Sequence, residues 1–344
     1  MTLILSLSLS LLGCADYTTS GATDSMGVGV GGAQDFGKFK EILDAGGLPG
    51  PETIDDVGFF AEHVIELPEP VCEDTICLHA QLGHMGNMIN GSDCTVLQLG
   101  MNTAAGLDWE RPPLNLVIAV DTSGSMSGTN MAALKTGLRE MTQVLEPEDR
   151  VTFIRFSNGA EVIVAGVEGD NSTVLDNAID SLKSGGGTDI YEGLRLAYSQ
   201  ATVLSDGERH DRVLLVSDGV ATEGLTDMDR MHGLAAAYQE LGFGLTTIGL
   251  GTDFDIELMR GLAEEGGGSF YFLQDPEAVI EVFTEEVASF LVPLAEEVRI
   301  ELVVGDDYLL RSLYGSPDFQ LTDQRGRLEM DLLQIAHRTG ADDN

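Results

Sequence analysis

Between Leu114 and Leu273 the chain alternates two hydrophobic periods, and this limits it to a small set of folds. Apolar runs of strand type occur at Leu114–Val120, Val151–Phe156, Ala160–Val164, Arg212–Val216, Gly244–Leu250 and Ser269–Leu273. Helical patterns lie between most of them, at Asn130–Leu145, Thr173–Leu182, Ile190–Leu204, Met228–Leu241 and Asp255–Glu265, and another follows at Pro276–Leu291. Strands separated by helices are joined by right-handed crossovers. The expectation is therefore an α/β domain, with a doubly wound, mostly parallel sheet covered by helices on both faces in a Rossmann-like arrangement. Ser157-Asn-Gly159 links two strand runs directly, so one edge strand is expected to run antiparallel.

Ligands of such sheets bind beyond the carboxyl ends of the strands, near the switch in strand order. Three segments reach that rim: Asp121-Thr-Ser-Gly-Ser125, Gly185-Gly-Gly-Thr188-Asp-Ile, and the apolar run ending in Ser-Asp218-Gly. Together they offer Asp121, Ser123, Ser125, Thr188 and Asp218, all oxygen donors. A hard divalent cation takes oxygen ligands and sheds its water reluctantly. A site made largely of neutral hydroxyls leaves such an ion short of negative charge and open to an anion from outside.

This triple pattern resembles the von Willebrand factor type A (VWA) domain and its metal-ion-dependent adhesion site, which is also found in integrin inserted domains. The resemblance covers about residues 113–292, and nothing in the metal motif departs from it. It implies that Ser123, Ser125 and Thr188 face a Mg²⁺, or Mn²⁺ or Ca²⁺, ion. It also implies that Asp121 and Asp218 act largely through bound water, while a Glu or Asp of a protein partner completes the shell. The implied function is metal-dependent protein binding, as an adhesion or scaffold module, with no catalysis. Two alternatives are a metal-dependent hydrolase and a passive structural or Ca²⁺-binding protein of the envelope. Hydrolases commonly fix the ion with His or several direct carboxylates and keep a base near the bound water. No His falls in the three segments, and the Gly-x-x-x-x-Gly-Lys-Ser/Thr phosphate loop is absent.

Charge narrows the partners. With 57 acidic and 18 basic residues among 344, the formal charge is −39. That field repels nucleic acid and anionic lipid surfaces, so no nucleic-acid partner is expected. Residues 1–13 form an uncharged, Leu-rich run ending at Leu-Gly-Cys14-Ala, which resembles a bacterial lipoprotein signal that lacks the usual positive start. The resemblance implies a lipidated Cys14 and an exported, membrane-anchored protein, periplasmic or at the cell surface. Residues 14–35 read as a flexible tether. In an exported chain two of Cys72, Cys77 and Cys94 are expected to pair, with the pairing left open. A zinc site built from these cysteines with His79 and His84 matches no familiar ligand spacing.

The flanks read differently from the middle. Residues 36–112 carry a short helical pattern at Phe36–Leu43 and alternating, strand-like runs at Ile76–Leu82 and Cys94–Met101. Residues 293–344 carry further strand-like runs at Val298–Val304, Tyr308–Leu313 and Arg327–Leu332. Neither flank has a core of its own, so they are expected to pair with each other into a small β module at the base of the α/β domain of residues 113–292. The arrangement is similar to bacterial exported VWA proteins with flanking β segments.

Overall fold

A computed structural model describes residues 2–4, 26–29, 42–50, 67–68, 72, 74–86, 93–103, 112–218, 220–251, 255–273, 283, 293–315 and 318–336. In the middle of the chain the strands are β5 (Leu114–Asp121), β6 (Arg150–Phe156), β7 (Ala160–Glu168), β8 (His210–Ser217), β9 (Gly244–Leu250) and β10 (Phe270–Leu273). The helices are α1 (Thr129–Gln143), α2 (Ser172–Ser181), α3 (Ile190–Leu204), α4 (Met228–Gln239) and α5 (Ile256–Glu265). The six strands form one sheet in the order β10-β9-β8-β5-β6-β7. Every neighbouring pair is parallel except β6 and β7, where Ser157 N–H closes the expected turn on Gly159 O at 2.9 Å.

The central strand explains the layering. All eight residues of β5 are buried, as a strand covered on both faces must be. Leu114, Leu116, Ile118 and Val120 enter one core with α1 and α2, while Val117 and Ala119 enter a second core with α3, α4 and α5. Alternation of side chains along a strand splits one apolar run between two cores. Truncating Ile118 to Ala would cost about 2–5 kcal/mol, because a cavity would open in a packed layer.

Strand order also locates the crevice. After β5 the chain builds β6 and β7 on one side, then returns to place β8 on the other side of β5. The loops that leave β5 and β8 therefore diverge from neighbouring strand ends, which opens a cleft at the carboxyl edge.

The flanks form a second sheet from β1 (Thr2–Ile4), β2 (Met26–Gly29), β3 (Cys77–Gly86), β4 (Asp93–Thr103), β11 (Pro293–Val303), β12 (Asp318–Leu321) and β13 (Arg325–Ala336). Its order is β1-β11-β13-β2-β4-β3, with β12 also on β13. Segments before and after the α/β domain do pair with each other, through β13, β2 and β4. Met330 and Leu333 anchor a small core there with Ile76, Met101, Val298 and Ile300 packed against it.

One expectation is corrected, and two described stretches are strands where none was read. Tyr308–Leu313 is not a strand: Leu310 N–H donates to Asp323 O at 2.8 Å, and Leu310 and Leu313 lie over Gly326 of β13. The strand of that region is β12. Met26–Gly29, inside the stretch read as a tether, is a strand between β4 and β13, and Thr2–Ile4, inside the stretch read as a signal, pairs with Arg299–Glu301. Cys14 and nearly all of the Pro276–Leu291 helical pattern lie outside the described residues. Phe283, which is described, is fully buried in the core beside α1.

Candidate metal centre

Asp121 is the last residue of β5, and the loop of residues 122–128 carries the chain from there into α1. Its carboxylate is fully buried. One oxygen accepts the Ser123 N–H at 2.7 Å, and the other accepts the Ser217 hydroxyl at 2.5 Å. The second contact follows from register: Val120 lies beside Val216, so the next residues, Asp121 and Ser217, leave adjacent strands together. Burial is the main influence on this carboxyl and raises it from 3.8 to about 6, against the Ser217 and Ser123 hydrogen bonds that lower it; the Asp218 charge adds to the rise.

The hydroxyls continue from that anchor. Ser123 Oγ lies 3.0 Å from Ser125 Oγ, and Ser125 Oγ donates to Asp218 Oδ1 at 2.8 Å. Asn130, in the first turn of α1, donates its amide to Asp218 Oδ2 at 3.2 Å. Ser123 and Asp218 are buried, whereas Ser125, hydrogen-bonded between them, is exposed, so the cluster opens to solvent at its middle member.

The Thr188 loop is docked by its backbone. Gly124 N–H donates to Gly186 O at 3.1 Å and Gly185 N–H to Thr122 O at 2.7 Å, which ties this loop to the first. Thr188 is buried; its N–H donates to Thr222 Oγ1 at 3.1 Å and its carbonyl accepts the Thr222 N–H at 3.0 Å, which ties it to the loop after β8. Asp121, Ser123, Ser125 and Asp218 thus join through side chains, and Thr188 joins them through main chain. Asp189 is a helix cap, accepting the Glu192 N–H at the start of α3.

These residues fit a hard divalent ion. Adjacent ligands of an octahedral Mg²⁺ at about 2.0–2.1 Å stand about 2.9 Å apart. The Ser123–Ser125 hydroxyl separation of 3.0 Å matches that edge, and Asp218 Oδ1 is held beside it by the 2.8 Å hydrogen bond from Ser125. Among the described residues no group of three or more His, Cys, Asp or Glu is placed to hold a metal, so the centre depends on hydroxyls.

Ser217, Asn130, Thr222 and Asn158, whose Oδ1 accepts the Gly187 N–H at 2.9 Å, support these loops and were not expected from sequence. Only Ser217, beside Asp218 at a strand end, carried a local signal. Elsewhere, Cys72 and Cys77 are disulfide-bonded, with Cα atoms 5.6 Å apart, and Cys94 is free. This settles the pairing and removes two ligands from the zinc arrangement.

The class defined by this geometry is a doubly wound α/β domain with acids and hydroxyls gathered at its switch point. Residues 115–285 match the von Willebrand factor type A domain, and the chain belongs to that family. Relatives include the uncharacterized protein YfbK of Escherichia coli, 27% identical over 195 residues, covering 56% of this chain and 34% of that one. The uncharacterized protein sll0103 of Synechocystis is 28% identical over 201 residues, covering 58% and 47%. The match therefore spans about a third to a half of these relatives' length. A solved von Willebrand factor type A structure from Catenulispora acidiphila shares the fold, with a TM-score of 0.52 at 17% identity, over 76% of this chain and 63% of that one.

Proposed function

We propose that the chain is a metal-dependent protein-binding module of the cell envelope, an adhesion or scaffold protein that captures an acidic side chain of its partner. Domains of this family often mediate protein–protein interaction, which supports the coarser part of this reading. The observation that carries the finer part is the cluster Ser123, Ser125, Asp218, with the two hydroxyls spaced as an octahedral edge and its middle member, Ser125, exposed. A Mg²⁺-type ion bound there would supply an electrophilic position open to a carboxylate. Asp121 stays behind the cluster with both oxygens already hydrogen-bonded, so it contributes charge from the interior. Thr188 connects the cluster to the loop after β8, where an arriving partner would be felt. No His falls in the three segments, and Asp189 there is engaged as the cap of α3, which favours binding over hydrolysis. Lipid attachment at Cys14 would hold the module at a membrane, and the accompanying removal of residues 1–13 would take β1 from the outer edge of the second sheet.

Capture of partners from envelope extract on the purified protein, with Mg²⁺ or EDTA, tests the reading. Wild type should retain partner only with Mg²⁺. Thr188→Ala should retain about tenfold less while its apo thermal melt moves little. Capture that ignores both metal and Thr188 would remove the mechanism, and Mg²⁺-dependent turnover of phosphate esters or peptides would replace it with an enzyme.

A further inference from the structure

The β3–β4 hairpin outruns the rest of its sheet. β2 pairs only with Met101–Thr103 of β4, whereas β3 and β4 stay paired from Cys77 and Asn102 out to Gly86 and Asp93. The base of the hairpin is held: Leu67 lies against Gly100, and Asn102 donates to Pro68 O at 2.7 Å with His79 Nε2 2.8 Å from its other side-chain atom. Farther out the two strands form a ribbon. Ala80–Gly86 are all exposed, with Leu82 at 56%, Met85 at 55% and Val96 at 48%. β3 is the outermost described strand on that side.

Physical expectation runs against so exposed a ribbon at the described edge of a sheet. A two-stranded hairpin is marginally stable in water without a third strand or a packed face. Natural edge strands are commonly blunted by charge or Pro. Cys77–Gly86 contains no Asp, Glu, Lys, Arg or Pro, and Asp93 is the one such residue in Asp93–Thr103.

We propose that β3 pairs antiparallel with β3 of a second copy of this chain, joining two hairpins into one four-stranded sheet. Charge argues for a copy meeting here. Two molecules of charge −39 repel over acid-bearing surface within a Debye length of about 8 Å, and this ribbon lets their backbones approach without facing acids. Register argues for self-pairing. Leu82 already lies opposite Leu97, so a twofold axis at Leu82 extends that rung into a row of Leu97, Leu82 and the two matching leucines of the second copy. The contact is short, at the small end of specific interfaces of about 1,200 Å². Its consequence is a bivalent assembly in which two crevices act together on a multivalent surface. This assembly rests on the hairpin alone and stands apart from the metal reading.

Sedimentation velocity of the full chain over a concentration series, in physiological salt, tests it. Wild type should shift with concentration from monomer to a species of twice 36.7 kDa. Leu82→Glu should stay monomeric, because it sets two carboxylates opposite each other across the axis. Val203→Glu, at an apolar residue 73% exposed on α3, should dimerise as wild type does. Hydrogen exchange supplies a readout independent of any variant: slowing with concentration should centre on Cys77–Gly86. A wild type that stays monomeric, a dimer that Leu82→Glu leaves intact, or protection that appears only elsewhere would overturn the assembly.

Discussion

Asp121 shows how one residue couples its proton to the fold and, in the proposed site, to a metal. Its carboxyl sits near 6, not 3.8, chiefly because burial disfavours the charge. The folded carboxyl binds its proton more tightly than the unfolded one. Its contribution to the apo fold is therefore fully present below pH 3.8 and is lost as pH rises through about 6. At neutral pH the ionised group costs the apo fold up to about 3 kcal/mol, which a bound cation would offset. Two outcomes are expected. Mg²⁺ affinity measured by calorimetry should fall steeply as pH drops through about 6, and apo Asp121→Asn should melt no lower than apo wild type at neutral pH while losing stabilisation by Mg²⁺. An Asn variant that Mg²⁺ still stabilises would show that Asp121 is not needed for the ion. Asp121 was legible in the sequence as an acid ending an apolar run. Its hydrogen bond from Ser217 was not, because that contact depends on the register between β5 and β8.

Among the elements, the loop before α3 is the most constrained part of the centre. Gly186 has φ 96°, and a Cβ there would lie 2.3 Å from Asn158 Oδ1, the atom that also accepts the Gly187 N–H. Gly186→Ala should therefore displace this loop, with about 1–2 kcal/mol of backbone strain in addition to the clash. The expected result is a Mg²⁺ affinity lower by about tenfold and a modestly lower melt, read by titration calorimetry and thermal unfolding. An unchanged affinity would mean that the loop of Thr188 does not contribute to the ion. Elements with strong periods were readable: α3 occupies Ile190–Leu204 as expected, and β9 occupies Gly244–Leu250. Tyr308–Leu313 misled because its leucines cover Gly326 from a loop, and apolar residues in a covering loop mimic a strand pattern.

At the scale of the molecule, the prediction concerns attachment. Growth with labelled palmitate should mark the wild-type protein and leave Cys14→Ser unmarked; equal label on both, or none on either, would remove the lipid anchor. By itself the sequence determined the α/β class, the antiparallel edge at Ser157–Gly159 and the place of Asp121, Ser123, Ser125, Thr188 and Asp218 at the rim of the sheet, because each is written in a local period or beside an apolar run. Tertiary structure alone decided the rest. Which cysteines pair depended on the distance that folding leaves between them: Cys72 meets Cys77, while Cys94 is held opposite Met85 near the far end of the hairpin. How three separated loops meet depended on strand order, since only β5 between β6 and β8 brings Asp121, Thr188 and Asp218 to one crevice. These loop contacts join residues far apart in the chain, and no local pattern encodes their partners.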